Sequence, residues 1–250
     1  MRKSRKQVYK MPTREDLLLE KRRYGLEQVI SDEEQIKLDL GMPVQKIMGF
    51  VELADVKIFL DFNVLIPRYE TEELVLKAIK EIPQNSKVLE IGCGSGFISI
   101  ALKKHRPDLK IVAVDVDNNA VLQTTINAQT NKVDIDIRLS NLFSGVSDMI
   151  FQEPFDVIIS NPPYLSDLEE LPESVEKFEP AIALKAPNDG FFFYKEILSR
   201  STWALKRQGQ IYFEINPQHM HIWEELKYAY NLEITKDING KERFAKIIVD

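Results

Sequence analysis

Cysteine is nearly absent from this sequence of 250 residues, in which Cys93 stands alone. A single cysteine excludes an internal disulfide and fits a reducing compartment. No apolar run approaches the ~20 residues that span a membrane, and the N-terminus lacks the apolar core of a signal peptide. The three histidines show no metal-ligand spacing with carboxylates or with Cys93. We therefore expect a cytoplasmic protein without disulfides, membrane segments or a bound metal.

Charge is spread unevenly along the chain. The formal net charge is -6, yet residues 1–23 hold nine Lys or Arg residues against three acidic ones, so the remainder is markedly acidic. A basic arm of this kind can bind nucleic acid or an acidic protein surface. A solvated terminus can equally carry lysines without any partner. The sequence supports the two interpretations about equally.

Strand and helix patterns alternate over most of the chain. Residues 13–40 have helical spacing that Gly41-Met42-Pro43 interrupts, residues 44–66 alternate in the manner of a β-hairpin, and residues 70–82 return to helical spacing. From residue 87 onward, strands are predicted at 88–91, 111–114, 135–139, 155–160, 210–215 and 244–249, with helices at 97–104, 118–130, 189–206 and 219–230. This alternation predicts an α/β fold with a parallel sheet and helices on both faces. Ligands of such sheets bind at the carboxyl ends of the strands.

A glycine-rich turn follows the first strand of this sheet, in the sequence Glu90-Ile91-Gly92-Cys93-Gly94-Ser95-Gly96. Three glycines at alternate positions leave bare backbone on which a ligand can lie close. The spacing G-x-G-x-G differs from the G-x-G-x-x-G of dinucleotide-binding turns. Glu90 would repel a phosphate, which a helix N-terminus otherwise attracts. We therefore predict a ligand with a cationic rather than a phosphorylated end, bound by Glu90, Gly92, Gly94 and Gly96.

Polar side chains follow the next two strands. Asp115 ends the second strand, where a carboxylate is placed to accept both hydroxyls of a ribose, and Asp117 can cap the next helix. Asn141 follows the third strand, where it can hydrogen-bond an adenine edge or form an Asx-turn. A ribose, an adenine and a positively charged end together fit S-adenosylmethionine. We predict this cofactor, with S-adenosylhomocysteine as its product.

The fourth strand ends in Asn161-Pro162-Pro163-Tyr164. Prolines end strands because they lack the N–H that the ladder needs, but this segment also places an amide and an aromatic ring at the ligand edge. The Asn161 oxygen and a proline carbonyl can hold an acceptor NH2 group with its lone pair toward the methyl carbon, which is catalysis by positioning. Tyr164 can cover the planar acceptor. We predict that these four residues are catalytic and bind the acceptor, and that Asn161 also contacts the cofactor.

A second signature lies upstream of the glycine-rich turn, in Leu65-Ile66-Pro67-Arg68-Tyr69-Glu70-Thr71-Glu72-Glu73-Leu74-Val75. It is similar to the Pro-Arg-x-Glu-Thr-Glu segment of the HemK/PrmC family, the release-factor glutamine N5-methyltransferases. Asn-Pro-Pro-Tyr after an apolar strand resembles methyltransferases that act on planar NH2 groups more generally. Further segments that resemble the family are Pro43-Val44-Gln45, Glu179-Pro180-Ala181-Ile182-Ala183-Leu184 with Asp189-Gly190, and Phe213-Glu214-Ile215.

The resemblance implies a Rossmann-like class I S-adenosylmethionine-dependent methyltransferase fold. It implies three parts: a small, shortened, basic and helical N-terminal region at 1–41 that can dock a release factor, a β-hairpin linker at 42–66 and a methyltransferase catalytic domain at 67–250. It also implies methylation of the glutamine in the Gly-Gly-Gln motif of peptide chain release factors. Arg68, Glu70 and Thr71 would then bind substrate at the mouth of the site, or form a salt-bridged helix cap.

The alternative activity is N-methylation of an exocyclic amine of a base in RNA or DNA, held by the same four residues. The basic arm favours a nucleic-acid partner slightly. The acidic body and the lack of an added basic or aromatic domain disfavour it. Asn141 also stands where the family commonly has an acid, which leaves the adenine contact open.

Overall fold

The computed structural model describes residues 11–166 and 168–250. The helices of these residues are α1 (Arg14–Arg23), α2 (Asp32–Asp39), α3 (Val44–Met48), α4 (Tyr69–Glu81), α5 (Phe97–His105), α6 (Asn118–Asn131), α7 (Ser147–Gln152), α8 (Glu173–Phe178), α9 (Phe192–Ala204) and α10 (Met220–Leu226). The strands are β1 (Phe50–Leu53), β2 (Val56–Phe59), β3 (Lys87–Ile91), β4 (Lys110–Asp115), β5 (Asp136–Leu139), β6 (Phe155–Ser160), β7 (Leu205–Glu214), β8 (Asn231–Lys236) and β9 (Glu242–Ile248). Seven strands of this described part form one sheet in the order β5-β4-β3-β6-β7-β9-β8, and β1 pairs with β2 separately. The predicted α/β class is confirmed.

Helices cover both faces of the sheet because its central strands are apolar on both sides. In β3, Val88 and Leu89 are both fully buried, although successive side chains of a strand point to opposite faces. Val88 joins a core formed with α4, α5, α6 and the β1-β2 hairpin, and Leu89 joins a second core formed with α9 and α10. A third, small core joins Leu17, Leu38 and Ile47 of α1, α2 and α3. The N-terminal helices therefore have a packing centre of their own.

The N-terminal helical segment is divided, whereas the spacing predicts helix throughout residues 13–40. After α1, Gly25 takes a left-handed backbone with φ of 65°, which ends the helix as a C-terminal glycine does. Ser31 then begins α2 with a capping box, because its hydroxyl accepts from Glu34 N and the Glu34 carboxylate accepts from Ser31 N. Five basic residues of the N-terminal arm lie outside the described residues: Arg2, Lys3, Arg5, Lys6 and Lys10.

The predicted hairpin over residues 44–66 is confined to β1 and β2. Residues Val44–Met48 form α3 instead, and Gly49, with φ of 78°, ends that helix. Ala54 and Asp55 connect the two strands with φ of 45° and 58°. Positive φ at both central residues is what a two-residue type I′ hairpin turn requires.

The last strands make the sheet mixed, whereas the alternation of strands and helices predicts a parallel one. β6 and β7 are parallel, but β9 lies antiparallel between β7 and β8. The turn from β8 to β9 is closed by Asp237 N, which donates to Lys241 O at 2.8 Å, and so short a turn cannot carry the crossover that parallel strands need. The sequence prediction missed β8 because this edge strand contains no buried residue and so no clear apolar face.

Three amide side chains of α6 attach that helix to the β1-β2 hairpin and to the segment that follows it. Gln123, Asn127 and Asn131 are four residues apart and therefore share one face of the helix. Asn127 accepts from Phe59 N (2.9 Å) and donates to Phe59 O (3.0 Å) and to Ser95 O (2.9 Å). Asn127 thereby joins the hairpin, α6 and the glycine-rich turn.

We expect Asn127→Ala to lower the free energy of unfolding by about 2–4 kcal/mol, because it leaves backbone groups of Phe59 and Ser95 without their partner. Urea unfolding followed by circular dichroism measures the change. Gln129→Ala, at an exposed position of the same helix, is the matched control and should cost less than about 0.5 kcal/mol. A loss below about 1 kcal/mol for Asn127→Ala would contradict this role.

Candidate active site

Four neighbouring strands end at one edge of the sheet. β3 pairs in parallel with β4 and with β6, and β6 pairs in parallel with β7. Their carboxyl ends therefore emerge side by side, which is where ligands bind on such sheets. The groups collected there are the glycine-rich turn after β3, Asp115 at the end of β4, Asn161 after β6 and Glu214 at the end of β7.

The glycine-rich turn offers open backbone at two of its three glycines. φ is positive at Gly92, Gly94 and Gly96 (77°, 55° and 84°), a conformation that other residues adopt only with strain. A Cβ at Gly92 or Gly94 would meet nothing within 4 Å, whereas a Cβ at Gly96 would lie 2.8 Å from Thr124 Cγ2. Gly94 N donates to Asp115 Oδ2 at 2.9 Å, which fixes the turn. Gly92 and Gly94 thus border open space, and Gly96 lets α6 pack closely.

Asp115 supports the turn and is still partly exposed to the site. Its second oxygen, Oδ1, accepts from Asp117 N at 2.9 Å. A carboxylate has about four acceptor positions, so acceptor capacity remains for a ligand beside these backbone contacts. Burial raises the pKa of Asp115, while the hydrogen bonds from Asp117 and Gly94 lower it. Ser140 N donates to Asp115 O at 2.7 Å, which brings the exposed Asn141 to the same edge.

The Glu90 carboxylate is enclosed beneath the turn, with the residue 1% exposed. Its Oε2 accepts from Ser99 N at 3.0 Å and from Ser99 Oγ. Burial raises the pKa of Glu90 to about 8, although the two Ser99 hydrogen bonds lower it, and the charge of Asp115 adds to the rise. Burial thus favours the protonated form of this carboxyl, which fastens α5 to β3 through Ser99. Its predicted contact with a cofactor stays a prediction.

Asn161, Pro162, Pro163 and Tyr164 line one wall of a cavity of about 960 Å³. Asn161 Nδ2 donates to Thr71 Oγ1 at 3.2 Å, so the amide oxygen lies at the opposite end of the group. Among the hydrogen bonds of the described residues, none reaches this oxygen or the carbonyl oxygens of Pro162 and Pro163. These three acceptors are therefore available to a bound NH2 group.

The chain at Tyr164 and Leu165 is held in place by the loop at residues 184–190. Leu165 N donates to Leu184 O (3.0 Å), and Ala186 N donates to Leu165 O (2.8 Å). Gly190 has φ of 84°, and a Cβ there would overlap the backbone oxygen of Tyr164. The Glu179–Leu184 and Asp189-Gly190 segments singled out in the sequence thus fix where Tyr164 lies.

Glu214 is a residue of this site that the sequence prediction missed. It is 1% exposed, and its carboxylate accepts from Thr71 Oγ1 at 2.7 Å and from the Tyr164 hydroxyl at 3.4 Å. Burial raises the pKa of Glu214 to about 7, against the Thr71 hydrogen bond and the charge of Arg243, which lower it. In the sequence Glu214 stands at the end of an apolar strand, in the Phe213-Glu214-Ile215 segment that resembles the family. Neither feature reveals what that acid contacts.

The three residues predicted at the mouth of the site lie at different depths. Arg68 lies in the cavity wall, where its Nη2 is 2.6 Å from Glu179 Oε1. Glu70 is half-buried in the first turn of α4. Thr71 is 5% exposed and lies behind the Asn-Pro-Pro-Tyr segment. A salt bridge is therefore present at Arg68, and the predicted substrate contacts of all three residues stay predictions.

Within residues 11–166 and 168–250, no three His, Cys, Asp or Glu side chains are grouped to hold a metal ion. No helix in that described part has both the length and the apolar character needed to cross a membrane.

Known proteins are similar to this chain both in sequence and in fold. Residues 70–183 match the family described as Methyltransferase small domain. The chain is 39% identical over 223 residues to the release factor glutamine methyltransferase of Flavobacterium psychrophilum, and the match covers 85% of this chain and 77% of that protein. The chain belongs to the release factor glutamine methyltransferase family. The predicted family is confirmed, and with it the predicted class of enzyme, an S-adenosylmethionine-dependent protein-glutamine N-methyltransferase.

Other members of the release factor glutamine methyltransferase family are similarly close. The Streptococcus pneumoniae protein is 37% identical over 242 residues, covering 91% of this chain and 84% of its own. The MTRF1L release factor glutamine methyltransferase of Homo sapiens is 32% identical over 231 residues, covering 82% and 67% respectively. A solved methyltransferase from Pyrococcus furiosus has a TM-score of 0.57 at 19% identity over 77% of this chain and 88% of that one, which shows likeness of fold alone.

We expect the stability of the protein to fall as pH rises because of Glu90. A carboxyl whose pKa is raised by folding, here from 4.5 to about 8, contributes stability that is present below the lower value and is lost as pH rises through the higher one. Each pKa unit corresponds to about 1.4 kcal/mol. Glu90→Gln keeps an oxygen for the Ser99 N–H but cannot ionise.

Urea unfolding of the wild type and of Glu90→Gln at pH 5, 7 and 9 measures this contribution. The stability of the wild type relative to the variant should fall between pH 5 and pH 9. Glu225→Gln, at an exposed position of α10, is the control and should leave the difference constant. A difference independent of pH for Glu90→Gln would contradict the burial of an ionisable carboxyl at this position.

Proposed function

We propose that this protein transfers a methyl group from S-adenosylmethionine to the side-chain amide nitrogen (N5) of the glutamine in the Gly-Gly-Gln motif of peptide chain release factors. The observation that carries the proposal is the Asn161 amide. Its nitrogen is engaged by Thr71, and its oxygen has no donor within the described residues. An acceptor of this kind, beside two proline carbonyls, suits a planar primary amide. Membership of the release factor glutamine methyltransferase family supports the same substrate.

The cofactor would lie over the ends of β3 and β4. The open backbone at Gly92 and Gly94 allows a ligand to approach closely, and the partly exposed carboxylate of Asp115 can accept ribose hydroxyls. The exposed amide of Asn141 is suitably placed for an adenine edge. S-adenosylmethionine, when bound, supplies a methyl group on a cationic sulfonium. Glu90 would act beneath this site, through the turn that it braces.

The acceptor amide would be held by the Asn-Pro-Pro-Tyr segment. The Asn161 oxygen and the Pro162 carbonyl accept the two N–H groups of the glutamine amide, which fixes the nitrogen and its lone pair relative to the methyl carbon. Tyr164 forms the neighbouring wall and covers the plane of the amide. In this scheme the protein contributes orientation and hydrogen-bond acceptors.

The cavity of about 960 Å³ provides the entrance for a peptide tip. Residues of α1 also line it, which places the N-terminal helices beside the entrance. We assign residues 1–41 to release-factor docking, 42–66 to a linker and 67–250 to catalysis. Arg68, at the cavity wall, would contact the backbone of the entering tip, with Glu70 and Thr71 supporting the first turn of α4.

An exocyclic amine of a nucleic-acid base is the less supported acceptor. Five acidic residues line the same cavity against three basic ones: Asp16, Glu20, Glu169, Glu170 and Glu179 against Arg68, Lys241 and Arg243. An excess of carboxylates at an entrance disfavours a phosphate backbone.

Asn161→Ala should reduce methyl transfer by at least about 100-fold, because the acceptor nitrogen loses its orientation. The assay uses labelled S-adenosylmethionine and offers purified release factor and total RNA side by side, with mass spectrometry of the product. Label on the Gly-Gly-Gln glutamine is expected, and label on RNA alone would contradict the proposal. Asn231→Ala, an exposed asparagine of β8, is the matched control.

Calorimetric titration of the same variants with the cofactor separates the two halves of the site. Asn161→Ala should bind S-adenosylmethionine within a few-fold of the wild type, whereas Asp115→Ala should weaken binding by about 10-fold or more, since a hydrogen-bonded charged partner is lost. Loss of both transfer and cofactor binding in Asn161→Ala would mean that Asn161 is structural.

A further inference from the structure

A chain of two hydrogen bonds lies behind Asn161, on the side away from the cavity. Asn161 Nδ2 is 3.2 Å from Thr71 Oγ1, and Thr71 Oγ1 is 2.7 Å from Glu214 Oε2. The three residues come from three elements: the loop after β6, the first turn of α4 and the end of β7. Thr71 and Glu214 are 5% and 1% exposed, so water does not compete for these groups.

The direction of these bonds follows from a count of protons. An ionised carboxylate only accepts, and a hydroxyl has one proton. While Glu214 is ionised, Thr71 therefore gives its proton to Glu214 and can only accept from Asn161. The NH2 end of the Asn161 amide is thereby turned toward Thr71, and its oxygen is turned the other way.

We propose that Thr71 and Glu214 are positioning residues, which hold the amide of Asn161 with its oxygen toward the acceptor amine. This inference rests on the proposed function for the identity of the acceptor. Neither residue needs to touch the acceptor to act in this way. An amide turned end for end would present N–H donors to an NH2 group, which is also a donor.

Protonation of Glu214 would remove the constraint. A protonated carboxyl can donate to Thr71, and Thr71 can then donate to the Asn161 oxygen, so the amide is free to turn. Burial raises the pKa of Glu214 to about 7, so this change falls within the range where enzymes are assayed.

Several charged and titratable groups face Glu214 from the elements around it. Arg243 of β9 lowers the pKa of Glu214 and Glu70 of α4 raises it, while the Tyr164 hydroxyl donates to its carboxylate. The Tyr194 hydroxyl of α9 donates to the Glu214 backbone oxygen at 2.8 Å. Arg243 forms its ion pair with Asp237, its Nε being 3.2 Å from Asp237 Oδ2, and acts on Glu214 through its charge.

Three variants test the proposal through kcat and KM. Thr71→Val removes the hydroxyl at nearly constant volume, and kcat should fall by about 10- to 100-fold while KM changes little, since a misplaced group costs on this order. Thr71→Ser keeps the hydroxyl and should restore most of kcat. Equal loss in Thr71→Val and Thr71→Ser would mean that Thr71 acts by packing alone, and an unchanged kcat in Thr71→Val would also overturn the proposal.

The pH profile of kcat tests Glu214. In the wild type kcat should rise with pH through about 7, because the ionised form fixes the amide. Glu214→Gln cannot ionise, so this rise should disappear, whatever the absolute rate of the variant. A rise that persists unchanged in Glu214→Gln would contradict the assignment.

A readout independent of activity separates this inference from the proposed function. The side-chain 15N–1H signals of Asn161 should shift with pH in the wild type, with a midpoint near 7, and should not do so in Glu214→Gln. Signals that follow this pattern in a protein that methylates no release factor would support the orientation and refute the substrate. Signals of Asn161 that do not respond to pH in an active wild type would refute the orientation and leave the substrate standing.

Discussion

Parallel hydrogen bonding of β3 to β4 on one side and to β6 on the other is the constraint on which the site depends. It brings the glycine-rich turn, Asp115 and Asn161 to one edge of the sheet, although they are up to about seventy positions apart in the chain. Polar side chains would be costly within these strands, which are buried on both faces. They occur where the strands end and can remain partly open to a ligand. The location of the chemistry therefore follows from the burial of the sheet.

Two carboxyl groups lie buried beneath this edge of the sheet. Glu90 and Glu214 are each 1% exposed, and burial raises the pKa of both. Their hydrogen-bond donors are hydroxyl and backbone groups supplied by residues such as Ser99 and Thr71. Such burial disfavours the charged form and lowers stability at high pH. Buried carboxyls with shifted pKa values are typical of functional sites, and here each one braces a segment of the proposed cofactor or acceptor site.

Much of the sheet and of the edge could be predicted from apolar runs and the residues that end them. β3, β4 and β6 were predicted within one residue at each end, because each is mainly apolar and is bounded by turn residues. β8 could not be predicted in this way, since an edge strand with no buried residue has no apolar face to detect. The same limit applies to the amide face of α6, where Asn127 bonds the hairpin through polar atoms. Local periodicity reports burial, and it does not report hydrogen bonds between distant polar groups.

The sequence by itself determined the alternation of strands and helices, the family and the positions of the glycine-rich turn, Asp115 and the Asn-Pro-Pro-Tyr segment. Each of these is encoded by neighbouring residues, whose spacing is visible in the chain. The tertiary structure alone decided that Thr71 lies behind Asn161 and that Glu214 accepts from Thr71, across 90 and 143 positions respectively. Those contacts depend on how α4 packs against the ends of β6 and β7. Packing of that kind is a property of the whole fold, because the partners meet only after the sheet has brought their strand ends together.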